Sequence, residues 1–125
     1  MPKLSSEEEH LVESLIFLEM TRKVLEKDLG GLEQAPLKIK EPYVHLLESA
    51  LFTLSRRLHR TKWKMKQAGI TVHPHQCDET FSEYNIFFRG YVVTAKYLNT
   101  DLRDRVSQNI EQIFLNEPSR REQAR

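Results

Sequence analysis

The sequence predicts an all-α fold: an antiparallel bundle of three long helices, the third open to a break into two. Three segments carry apolar residues at helical steps of three and four, glycine and proline separate them, and no segment alternates as a strand or frames a hairpin turn. At 125 residues the chain is one domain's length and buries about two-thirds of its unfolded surface. Residues 1–116 are expected to form that domain, with residues 117–125 as a flexible polar tail.

The first helix starts at Ser5 or Ser6, each three residues before a glutamate (Glu8 or Glu9), the spacing of a capping box. Leu11, Leu15, Leu18, Leu25 and Leu29 form its stripe, with Arg22 at the missing position. Gly30-Gly31 is its expected end, because glycine accepts the left-handed conformation that closes a helix. A linker over 30–41 leads to Pro42, which suits a first helical turn. The second helix carries Val44, Leu47, Leu51, Leu54, Leu58 and Met65, and ends at Gly69. Residues 70–77, ITVHPHQC, read as a short loop. The third helix is placed from Asp78 or Thr80 to Pro118, with Thr80 and Glu83 as another capping box. Its stripe is Tyr84, Phe88, Tyr91, Ala95, Leu98, Leu102, Val106, Ile110 and Ile113; Gly90 and Asn99-Thr100 are its candidate breaks.

A helix in a simple bundle needs one apolar stripe, and two of these helices carry a second. Ile86, Gly90, Val93 and Tyr97 lie opposite the main stripe of the third helix, with the glycine suited to a close backbone approach. Phe52, His59 and Trp63 form a second line on the second helix. Burial within one chain, by a central or folded-back helix, would absorb these faces. An interface would do the same, and Ile86, Gly90, Val93, Tyr97, Phe52 and Trp63 are its expected residues.

Charge is distributed unevenly. The net charge is +1, yet residues 42–75 carry +5 and the segments on either side, 1–41 and 76–118, carry −3 each. Six of the 19 Lys and Arg fall in Arg56–Lys66, RRLHRTKWKMK, without one acid. On a helix Arg56, Arg57, Arg60 and Lys64 share a face, with Lys62 and Trp63 at its edge. Phosphates attract such an array by counterion release, and a tryptophan can stack on an unpaired base. Against that, acidic neighbours could neutralise the face, cations in a last turn complement the helix dipole, and charged faces are commonly just solvated. A tryptophan here would ordinarily be a packed anchor.

His73, His75 and Cys77 gather three potential zinc ligands, with Asp78 or Glu79 to complete a tetrahedron. The spacing matches no standard zinc signature, and Pro74 restrains the loop, so an ordinary polar turn is the simpler reading. Glu7 and His10 make one E-x-x-H pair where a di-iron bundle needs two. Cys77 stands alone, which excludes an internal disulfide. No leader and no apolar run of about 18 residues is present, so a cytoplasmic protein away from membranes is expected.

These features predict a small non-catalytic interaction or regulatory module that needs no cofactor. Its expected partner is itself, as a homodimer, or another protein. The alternative is a nucleic-acid-binding protein using Arg56, Arg57, Arg60, Lys62 and Lys64.

Overall fold

The computed structural model describes the chain from residue 3 to residue 123, with side chains to residue 116. Helix α1 spans Ser6–Gln34 and α2 spans Glu41–Ala68. Three strands follow, β1 (Ile70–Cys77), β2 (Phe81–Phe88) and β3 (Tyr91–Leu98), and α3 (Asn99–Gln123) completes the chain. The fold is therefore α+β, with a three-stranded antiparallel sheet in the order β1-β2-β3, and not an all-α bundle. Among the described residues no helix is long and apolar enough to cross a membrane.

The helix signals are partly those expected. Ser5 and Glu8 close the capping box, the Ser5 hydroxyl accepting from the Glu8 N–H at 3.1 Å and the Glu8 carboxylate from the Ser5 N–H at 2.8 Å. Gly69, at φ 71°, closes α2 in the left-handed conformation. Gly30-Gly31 does not end α1, which continues to Gln34. Ala35 then turns extended (ψ 144°) ahead of Pro36, because proline disfavours helical geometry in the residue before it.

The segment 70–98, expected as a loop and half a helix, is the sheet. Phe88 pairs with Tyr91 around a two-residue connection. Arg89 (φ 49°) and Gly90 (φ 79°) both occupy the left-handed region, as a type I′ hairpin turn requires. Gly90 is thus a turn residue with open space around it. The other hairpin closes on Asp78, whose Oδ1 accepts from the N–H groups of Thr80 and Phe81 at 2.8 and 2.7 Å. That Asx turn uses the residue types that read as a helix cap. Asn99-Thr100 is where α3 begins. Asn99 donates to the Asp78 carbonyl and accepts from the buried Ser82 hydroxyl at 2.6 Å, fastening α3 to the sheet.

The antiparallel α1–α2 hairpin carries two cores. Val12, Leu15 and Ile16 of α1 meet Leu58 and Met65 of α2 beneath Ile70, Ile86 and Phe88 of the sheet. Towards the other end Leu25, Ala50 and Leu54 meet Ile113 of α3, and Phe17 packs with Leu102 and Val106. The latter half of the expected third helix is correct: Leu102, Val106 and Ile113 are buried in α3. The helix assignment passes Pro118, where the sequence places a stop; the tail at 117–125 lies outside the described side chains.

Arg89 joins the hairpin tip to α1. Its guanidinium donates to both Glu8 oxygens at 2.9 and 2.7 Å. The Ser5 N–H, and then the guanidinium, hold the Glu8 carboxyl below its ordinary pKa. Gly90→Ala meets no neighbour, so its cost is conformational. A loss of about 1–2 kcal/mol is expected from chemical denaturation, with Gly90→Asn losing less because asparagine tolerates this region. An unchanged midpoint for Gly90→Ala would contradict the turn assignment.

Candidate functional site

The expected interface residues do not share a surface. Ile86 is 3% exposed beneath the sheet, Gly90 is in the hairpin turn, and Val93 and Tyr97 lie on β3. The β2–β3 register keeps Ile86, Val93 and Tyr97 on one side of the sheet, but that side faces the helices, so the line is not the free face of a helix. Tyr97 is half-buried, edge-on to Phe17 and Tyr84 at 6.3 and 6.1 Å. Burial, followed by the Glu13 carboxylate, raises its phenol pKa.

What the sheet does expose is β3 and its outer face. Strand alternation places Ser82, Tyr84, Ile86 and Phe88 on the helix side and Phe81, Glu83, Asn85 and Phe87 on the other. Phe87 faces Val92 across the strands, Asn85 faces Thr94, Glu83 faces Lys96 and Phe81 faces Leu98. The outer face is therefore apolar at both ends and polar between, where Thr94 donates to Asn85 at 3.1 Å and Lys96 lies 3.8 Å from Glu83. Val92 is 56% exposed, and Tyr91, Val93 and Leu98 are exposed with it.

The hydrogen-bond parity of β3 follows from its turn. A two-residue I′ hairpin makes Phe88 and Tyr91 a hydrogen-bonded pair, and every second pair beyond it likewise. The Asn99 N–H donating to the Thr80 carbonyl at 2.8 Å keeps the same parity. Val92, Thr94 and Lys96 therefore aim their N–H and C=O groups away from β2, along an open sheet edge. The opposite edge is blunted. Strand β1 contains Pro74 and shifts register between Pro74 and Gln76, two devices that discourage strand addition.

The structure divides the basic stretch. Arg56 lies over the Phe52 ring at 5.9 Å, and Lys62 pairs with Glu19 at 3.6 Å. Arg57, Arg60 and Lys64 line a cleft against α1 and α3. Trp63 is 59% exposed and is not a packed anchor; it shares the outer line of α2 with Phe52 and His59.

The candidate metal residues sit on a strand, not a loop. His73 pairs with Asn85 on the outer face, edge-on to Phe87 at 5.6 Å. Beyond the bulge, Cys77 pairs with Ser82 on the helix side, its Sγ 3.3 Å from the Ser82 hydroxyl. The register shift at the bulge thus places Cys77 on the opposite face of the sheet from His73. Among the described residues no group of three or more His, Cys, Asp and Glu is placed to hold a metal ion.

The YhjD protein family matches over residues 3–117, which takes in both helices of the hairpin, the whole sheet and most of α3. The chain belongs to the YhjD family. It is 31% identical over 108 residues to the uncharacterized protein YhjD of Bacillus subtilis (strain 168), covering 86% of this chain and 90% of that one. No solved structure matches. The YhjD match thus spans the open β3 edge and the cationic cleft alike.

Asp78 gives the sheet a pH dependence. The N–H of Phe81 and then of Thr80 stabilise its carboxylate and lower its pKa from an ordinary 3.8. A lowered folded-state pKa adds stability that is full above 3.8 and fades as pH falls through the folded value. Asp78→Ala is expected to lower the thermal midpoint at neutral pH, with the wild-type and variant curves converging in acid. Curves that stay parallel would assign the loss to something other than this carboxylate.

Proposed function

We propose that this chain is a non-catalytic interaction module that self-associates through β3, forming a symmetric dimer with a continuous six-stranded sheet. The open, unblunted β3 edge carries the reading: an extended strand with free backbone groups and exposed Val92 is a template for strand addition. The pattern along β3 is self-complementary when the two-fold axis passes at Ala95. Thr94 then faces the partner's Lys96, and Val92 faces the partner's Leu98. The outer-face rows join as Phe87, Val92 and the partner's Leu98 and Phe81 at the ends, with polar rows between. The small Ala95 sits on the axis. Moving the axis to Lys96 sets like charges directly opposite, which is unfavourable.

Light scattering across a concentration series tests this. The wild type is expected to approach twice the 14.8 kDa chain mass, while Thr94→Pro stays at the single-chain mass. Proline there removes an outward N–H and is tolerated on an edge strand. Val93→Pro removes a bond to β2 instead and should unfold the hairpin. A wild type that keeps one-chain mass at every concentration defeats the reading, as does a Thr94→Pro protein that dimerises undiminished.

A further inference from the structure

Arg57, Arg60 and Lys64 follow steps of three and four along α2 and face one cleft of about 510 Å³, bounded by α1 and by Arg105 of α3. That volume lies within the range of small-molecule sites, roughly 300–1,000 Å³. Like charges at these spacings repel along a helix, and among the described residues none of the three has an ion-pair partner. Among the described residues the one acid lining the cleft, Glu13, is engaged by Arg105 at 3.6 Å. The Arg105 guanidinium is held over the Phe17 ring at 3.8 Å, so the fourth cation is positioned by packing as well as by charge.

We propose that this cleft binds the di- or triphosphate group of a small molecule, with Arg57, Arg60, Lys64 and Arg105 contacting the phosphate oxygens. Guanidinium groups offer planar paired donors to such oxygens and the ammonium a compact charge. Phosphate binding draws Arg105 away from Glu13, whose carboxylate opposes the ligand. Phe17 and the neighbouring leucines of α1 leave an apolar wall for the rest of the molecule. A nucleic-acid backbone fits less well. The stretch is no continuous basic strip, since Arg56 and Lys62 are engaged outside the cleft, and Trp63 does not line it.

Calorimetric titration of the full chain with inorganic pyrophosphate and triphosphate, at low and at physiological ionic strength, tests the site. Saturable one-to-one binding is expected, weakened at least about tenfold by Arg60→Ala or Lys64→Ala, the scale of a lost charge-assisted hydrogen bond. Glu13→Gln should bind several-fold more tightly. Its ion pair is half-exposed and contributes little to folding, so circular dichroism should be unchanged. Lys62→Ala, outside the cleft, should bind like the wild type. Absence of saturable binding, or an equal loss in Lys62→Ala, overturns the proposal. So does a single-stranded RNA oligonucleotide that binds and is not displaced by pyrophosphate, since that assigns the charge to nucleic acid.

Discussion

Burial around α1 is the constraint on which the remaining structure depends. One helix offers Val12 and Ile16 to the sheet, Leu25 to α2 and Phe17 to α3, so three different layers are built on three sides of it. Two helices alone leave long apolar stripes uncovered. The sheet covers one end of the hairpin and α3 the other. The side chain of Thr21, fully buried between these regions, returns its hydroxyl to the Phe17 carbonyl at 2.7 Å and so adds no unsatisfied group to the core.

Both long helices were legible because their apolar steps, capping box and terminal glycine all state one period. The α3 stripe from Leu102 to Ile113 was legible for the same reason. The sheet was not, because its two faces are both partly apolar. Ile86 and Phe88 point to the core while Phe81, Phe87 and Val92 point outwards, which erases the alternation that marks a half-buried strand. Across the two-residue turn Tyr84, Phe88, Tyr91 and Ala95 share one sheet face, and their steps of four and three imitate a helical stripe. The signal that survives is composition. Phe81–Phe88 and Tyr91–Leu98 are rich in aromatic and β-branched residues, which favour strands, and they flank a two-residue Arg-Gly unit of the kind that closes hairpins. The Asp78-Glu79-Thr80 turn was missed because turn and helix-cap chemistry use the same side-chain acceptors.

The candidate surfaces were legible in part. Counting charge located the basic segment, but only three of its six bases enter the cleft; the fourth cation, Arg105, comes from another helix that no spacing within Arg56–Lys66 could reveal. The expected apolar interface pointed to β3 through Val93 and Tyr97 while assigning them the wrong geometry. Self-complementarity became visible only with the β2–β3 register, because cross-strand rows are a property of pairing and not of either strand alone.

The Glu8 carboxylate serves two masters: the first turn of α1 and a hairpin tip 81 residues later in the chain. Opening of either end therefore loosens the other. Fraying of the helix start withdraws the acceptor that holds Arg89, and lifting of the hairpin removes the cation that holds Glu8 in place. The two ends of this long-range tie thus behave as one cooperative unit of local unfolding, in which amide exchange around residues 5–9 and 88–91 reports the same event.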